Sequence, residues 1–229
     1  MNWIIRDMYE NKLDNGSTVL GLFPTPIYTA NIPPELSVAA NFFDKLEHGD
    51  GDKVMEYGSH SNNSYVMHEP ECKELGEWIM SHVKIFGTDM LKYDYEEYAF
   101  SQTWVTWKNP GQFHTIHSHP NSLISAVFFY GYVEEETPAI TFHRPSGGIS
   151  ASYLQPKHQS DRREAEFSWE TFNITFQPGM LLIFPSYFMH SVPVNETNHI
   201  RKSLAMNILP KGKIGDVGSL TELIFDKVM

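Results

Sequence analysis

Three histidines carry the chemistry this sequence offers. His117 and His119 flank Ser118 shortly after the turn residues Asn109-Pro110-Gly111, and His190 stands just beyond the apolar run Leu181-Leu182-Ile183-Phe184-Pro185. Residues two apart in an extended segment share a face, so His117 and His119 point the same way. Two imidazoles on one face make a natural ligand pair for a transition metal. His190, past an apolar strand that stops at a proline, lies at the rim of a sheet or barrel and can lean inward as a third. A lone histidine of this kind is more often exposed or a satisfied core residue. The H-x-H pair with a third histidine is what points to a metal.

A second constellation lies near the C-terminal end. With period two, His199 to Leu209 puts Ile200, Lys202, Leu204, Met206 and Ile208 on one face and Arg201, Ser203, Ala205 and Asn207 on the other. If the second face looks at solvent, this is an ordinary half-buried strand. If it looks into a cavity, Arg201 offers a planar fork that takes a carboxylate bidentately, and Ser203 adds a hydroxyl. A few convergent polar groups in an apolar cleft are the usual make-up of a small-ligand site. Asn121, Asn207 and Tyr130 are further candidates to hydrogen-bond such a ligand, against competing roles in a turn, in strand packing and in the core. Trp104 and Trp107 read as core residues, and His114, His143 and Arg162-Arg163 as candidates to line an entrance.

Strands must position these groups. From Tyr98 onward, Phe100 to Trp107 alternates, Leu123 to Val133 is apolar on both faces, and Ala139 to Phe142, Thr171 to Phe176, Met180 to Phe184 and His199 to Leu209 follow. Many short strands with Pro/Gly turns predict a sandwich or closed barrel. Ahead of them, Thr18 to Ile32 reads as an edge strand split by Pro24 and Pro26. Pro33 to His48 reads as a helix opening on prolines, and Glu69 to about Lys92 as a second helix with the stripe Leu75, Ile79, Val83 and Ile85. Pro145 to Glu166 is polar and aperiodic, either a lid or a surface excursion. Ser219 to Met229 reads as a short terminal helix. The expected organisation is one domain over 1–229: a strand and supporting helices over 1–97, a β core over 98–210, and an extension with a short helix over 211–229.

Composition sets the class. At 41% hydrophobic, 14% aromatic and 20% charged, the 229 residues can bury a core and do not read as disordered. Twenty-eight acidic residues against 17 basic ones give a formal charge of −11, which disfavours nucleic acid and anionic membrane surfaces as partners. Cys72 is the only cysteine, so no intrachain disulfide forms. With no leader-like or membrane-spanning run, a reducing cytoplasm is the expected compartment. A homodimer is the default association.

The order and spacing of the motifs resemble the 2-oxoglutarate/Fe(II)-dependent dioxygenases. That family's pattern of H-x-(D/E/H), a distal His, then Arg about ten residues on with Ser two further, here reads His117-Ser118-His119, His190 and Arg201-Lys202-Ser203. Gly111-Gln112-Phe113 is similar to the run leading into the iron site of prolyl-hydroxylase-like members. Closer is the resemblance to a group of oxygenases of bacteria and phages. These share a segment like His117-Ser118-His119-Pro120-Asn121-Ser122, a Ser-containing apolar strand (Leu123 to Tyr130) and Phe184-Pro185-Ser186 before the distal histidine. The likeness covers roughly Gln102 to Ile208; earlier residues match only through Leu22-Phe23-Pro24-Thr25-Pro26.

The resemblance implies a mainly β fold, a double-stranded β-helix (jelly roll, cupin-like) with flanking N-terminal helices. It implies Fe(II) on His117, His119 and His190, and 2-oxoglutarate with its far carboxylate on Arg201 and Ser203. O2 is then the oxidant, and a C–H bond of a small-molecule or peptidyl substrate is hydroxylated with release of succinate and CO2. One departure stands out: most members carry Asp or Glu where this chain has His119. Three histidines also suit zinc or copper. Two other readings therefore stay open, a three-histidine cupin-like dioxygenase that uses no 2-oxoglutarate and a non-catalytic jelly-roll binding or structural module.

Overall fold

The computed structural model describes residues 10–12, 15, 17–21, 24–36, 39–49, 58–95, 97–131, 138–145, 169–175 and 177–225. An antiparallel hairpin of β1 (Glu10–Lys12) and β2 (Thr18–Leu20) precedes the main body. A six-stranded sheet then runs in the spatial order β3 (Tyr28–Asn31), β10 (Met180–Pro185), β7 (Ile124–Phe129), β12 (Arg201–Pro210), β5 (Tyr98–Lys108) and β4 (Ser59–His60). A four-stranded sheet faces it, ordered β6 (His114–His117), β11 (His190–Val192), β8 (Pro138–His143) and β9 (Thr171–Thr175). All the pairings within these two sheets are antiparallel. Between β5 and β12 the chain passes repeatedly from one sheet to the other, which is the double-stranded β-helix, or jelly roll.

Side-chain parity divides the large sheet into two working faces. Ile124, Ala126 and Phe128, Leu181 and Ile183, and Leu204, Met206 and Ile208 are buried in one core cluster with Phe43, Leu75, Ile79, Val83 and Phe86 from the helical layer. Leu182, Phe184 and Phe129 point the other way and join Ile140 and Phe142 of the small sheet. Strands covered on both sides read as continuous apolar runs, which is why β7 and β10 are legible as central strands. Each fully buried Leu, Ile or Phe contributes about 1.5–3 kcal/mol.

The helical layer differs in part from the expectation. The second helix forms as α2 (Lys73–Lys84), entered by a 3-10 turn at Pro70–Cys72 and prolonged by a π-helical turn at Ile85–Met90. Gly87 sits in that turn where a Cβ would meet the Tyr98 hydroxyl, so close packing on β5 accounts for the glycine. Pro33 to His48 is not one long helix. Only α1 (Ala40–Phe43) is helical, and Leu36, Phe42, Lys45 and Leu46 donate to the carbonyl three residues back, in tight turns. Its apolar residues still reach the core, so their burial does not require a regular helix.

The expected helix after Ser219 is also corrected: β13 (Gly212–Ile214) pairs with β14 (Leu223–Phe225). The proposed lid, apart from Pro145, and Arg162-Arg163 lie outside the described residues. Among the described residues no helix is long and apolar enough to cross a membrane.

Candidate metal centre and anion cleft

The two short strands of the small sheet bring the histidines together. His117 ends β6, His190 begins β11, and the two are direct cross-strand partners. His119 lies two residues beyond β6, where its N–H donates to the Ser186 carbonyl at 3.0 Å and ties this loop to the turn before His190. One ring nitrogen from each histidine lies within 4.8 Å of the others.

Hydrogen bonds fix which nitrogen that is. Nδ1 of His117 meets the Thr115 carbonyl at 2.8 Å, Nδ1 of His190 meets the Phe188 carbonyl at 3.0 Å, and Nδ1 of His119 meets Oδ1 of Asn207. Each partner is a carbonyl oxygen, so each Nδ1–H donates, leaving the Nε2 lone pair for a metal. Burial holds all three imidazoles below the usual histidine range; for His190, with His117 beside it, the pKa falls to about 3. Three neutral, oriented imidazoles form a donor set that fits a divalent iron, zinc or copper ion.

Asn207 thus works differently from its expected role on a ligand. The pairing of β12 with β5 shifts between Met206 and Ile208, and Asn207 stands at that irregularity, its side chain on His119. Outer partners of metal-bound histidines typically account for about 10–100-fold in metal affinity. Asn207→Leu is expected to weaken metal binding by that factor, read by competition with a chromophoric chelator.

The same cleft continues along the inner face of the large sheet. Trp104, Thr106 and Lys108 line it from β5, and Arg201, Ser203 and Ala205 from β12, each set following the two-residue repeat. Arg201 is 6% exposed; one guanidinium nitrogen, Nη1, donates to the Pro193 carbonyl at 3.0 Å. The other, Nη2, is buried without a hydrogen-bond partner among the described residues. A buried donor left unmade costs about 1–3 kcal/mol, more when charged, and a carboxylate satisfies it. No Asp or Glu lines the cleft among the described residues.

Lys108 was not singled out by sequence. It is 4% exposed and the cross-strand partner of Arg201; burial, then the Arg201 charge, pulls its pKa down to about 8. The signal was available, because period two from Trp104 leads through Thr106 to Lys108.

Several expected roles are corrected. Trp104 is not core: it lines the cleft and stacks on His119, with ring centroids 5.8 Å apart, whereas Trp107 is buried. Tyr130 shares the parity of Phe128 and packs on Phe43 at 5.0 Å, on the side of the sheet away from the cleft. Asn121 is exposed in the left-handed region, φ 57°, a turn residue. His114 lines the cleft and stacks on His117 at 4.2 Å; His143 bonds Ser191 Oγ at 2.8 Å and does not line it.

The buried histidines also set a pH dependence. His190 near 3 and His114 near 4 lie below the value of about 6.5 that they regain on unfolding. The unfolded chain then binds more protons between those limits, so the stability they contribute is full above about pH 6.5 and falls on acidification. Metal-free protein is expected to lose melting temperature steadily from pH 7 to pH 4.5 in a thermal-denaturation series with chelator present.

Fold and site together define a jelly roll whose three clustered histidines could hold a metal ion, beside a cleft lined by Lys108 and Arg201. Residues 102–207, a little under half of the chain, match the family described as "Putative 2OG-Fe(II) oxygenase", a span that includes His117, His119, His190, Arg201 and Ser203. The matched span covers most of the β core. No curated protein matches in sequence.

Solved structures agree on the fold. A Burkholderia pseudomallei oxidoreductase of the 2OG-Fe(II) oxygenase family aligns with a TM-score of 0.53 at 13% identity, over 79% of this chain and 83% of the other. A Pseudomonas putida prolyl-4-hydroxylase aligns at 0.54 with 14% identity, over 82% and 94%. The non-heme alpha ketoglutarate dependent epimerase SnoN, from nogalamycin biosynthesis, aligns at 0.51 with 14% identity, over 76% and 70%.

Proposed function

We propose that this protein is a non-haem Fe(II), 2-oxoglutarate-dependent oxygenase that hydroxylates a C–H bond of a small-molecule or peptidyl substrate. The observation that carries the reading is the unpartnered Nη2 of buried Arg201, in the same cleft as the three neutral histidines. His117, His119 and His190 would hold the metal, and Arg201 with Ser203 the far carboxylate of the cosubstrate. When bound, iron and 2-oxoglutarate supply the oxidising power, one atom of O2 entering the substrate and the other the succinate, with loss of CO2.

The chain's own contribution is placement and exclusion. Thr115, Phe188 and Asn207 keep the three rings in one tautomer, so no proton has to leave them at neutral pH. Trp104, Val127, Phe129 and Ile140 give the cleft apolar walls that limit water and favour side reactions less. The prolyl-4-hydroxylase and SnoN, as structural neighbours, represent peptidyl and small-molecule chemistry, and both substrate classes stay within the proposal. A single buried thiol, Cys72, raised to about 12 chiefly by burial, and an acidic composition suit a cytoplasmic enzyme.

An imidazole at position 119 favours a second reading, a three-histidine dioxygenase that works without 2-oxoglutarate. Anaerobic titration of the Fe(II)-loaded protein with 2-oxoglutarate separates the two. The expected result is a saturable visible charge-transfer band. Bound iron with no band at any cosubstrate concentration would establish the second reading instead.

A further inference from the structure

Three serines form a hydrogen-bonded row at the metal end of the cleft. Ser125 is buried on β7, where it pairs with Asn207 of β12 on one side and Phe184 of β10 on the other. Its hydroxyl lies 2.8 Å from that of buried Ser186, in the turn after β10, and Ser186 Oγ donates to Ser122 Oγ at 2.9 Å. Ser122 Oγ in turn donates to the Ile124 carbonyl at 2.9 Å and accepts the Ile208 N–H at 3.1 Å. A hydroxyl has one proton to give and two lone pairs to fill. The protons therefore run one way, from Ser125 through Ser186 and Ser122 to the Ile124 carbonyl.

Burial alone does not call for hydroxyls here, because the rest of β7 is apolar (Ile124, Ala126, Val127, Phe128 and Phe129). What the row touches is the support of His119. The Ser186 carbonyl accepts the His119 N–H at 3.0 Å, and the Ser186 N–H donates to the Leu123 carbonyl at 3.1 Å. Ser122 holds the Ile208 N–H next to Asn207, where the β12–β5 pairing shifts and the Asn207 side chain meets the His119 ring. One row thus ties down both supports of His119, at its backbone and at its ring. The other two histidines are held locally: they are cross-strand partners, and each ring bonds the carbonyl two residues before it. His119 lies outside any strand, and its ring partner is 88 residues away.

We propose that Ser125, Ser186 and Ser122 act as one positioning device for His119, with Ser186 as its central residue. This rests on the reading of His119 as a metal ligand. Removing the Ser186 hydroxyl leaves the buried Ser125 proton and one Ser122 lone pair unmatched. The turn after β10 and the irregularity in β12 then lose their common tie, and the loss falls on the third imidazole.

The test is Zn(II) affinity, read by competition with a chromophoric chelator, with and without His119. Ser186→Ala is expected to weaken Zn(II) about tenfold, the low end of the effect of an outer partner, and to shift the visible bands of the Co(II)-substituted protein. In a His119→Ala background the same change should leave the residual affinity within about twofold, because the device then has nothing to act on. Equal weakening in both backgrounds, or an unchanged Co(II) spectrum, overturns the proposal, since a merely structural serine behaves that way. So does a Ser186→Ala protein that binds Zn(II) as tightly as wild type. Should Ser186→Ala not fold, Ser122→Ala, at the half-buried end of the row, carries the same comparisons. Failure of the underlying reading looks different: His119→Ala alone then keeps wild-type affinity.

Discussion

His190→Ala is expected to reduce metal affinity by more than about 100-fold, beyond the 10–100-fold typical of losing an outer partner, because it removes a ligand itself. His190 is 3% exposed and is the cross-strand partner of His117, so its ring is held beside the other two imidazoles. Its ring packs against Phe184 at 4.9 Å and Phe142 at 6.0 Å, and these neighbours offer no donor atom. The metal-free variant should nevertheless stay folded, since the sheets are held by the apolar clusters on both faces of the large sheet. Chelator competition reads the affinity, and the thermal transition of the apo protein shows that the loss is local. A variant that retains wild-type affinity would remove His190 from the metal centre.

Arg201→Ala is expected to leave metal affinity unchanged and to weaken 2-oxoglutarate binding by about 30-fold or more. Truncating one partner of a buried, hydrogen-bonded charge pair typically costs about 2–5 kcal/mol, and each 1.4 kcal/mol is a factor of ten. Two parts of the geometry make the effect large. The Nη2 donor is already desolvated with no partner among the described residues, so the free protein bears much of the cost of burying it. The Nη1 bond to the Pro193 carbonyl fixes the plane of the fork before any ligand arrives. Arg201→Lys should recover little, because an ammonium keeps the charge but lacks that plane. Anaerobic titration of the iron-loaded variants measures the change directly, and unaltered affinity in Arg201→Ala would move the anion site elsewhere.

The legible and illegible parts of the fold separate on physical grounds. Strands buried on both faces, such as Ile124–Phe129 and Met180–Pro185, are continuous apolar runs and stand out in sequence. The strands that carry His117 and His190 are three or four residues long, polar or partly exposed, and give no alternating pattern. Pro33 to His48 shows the converse error, since its apolar spacing is satisfied by successive turns packing against the core as well as by a helix. The terminal hairpin was missed for a similar reason: ten or so residues without strong periodicity suit either a helix end or a β14 paired outside the main sheets.

For the candidate site, the sequence alone singled out the three histidines and the face of β12 that bears Arg201 and Ser203, because ligand chemistry and two-residue periodicity are local properties. Tertiary structure alone decided the rest. Cross-strand register set Lys108 beside Arg201, a shift in pairing at Asn207 gave His119 its hydrogen-bond partner, and parity carried Tyr130 to the helix side and Trp104 into the cleft. Register and burial depend on which strands meet, and those strands are far apart in the chain: Asn207 and His119 are 88 residues apart in sequence and touch only because the jelly roll returns β12 to that end of the cleft.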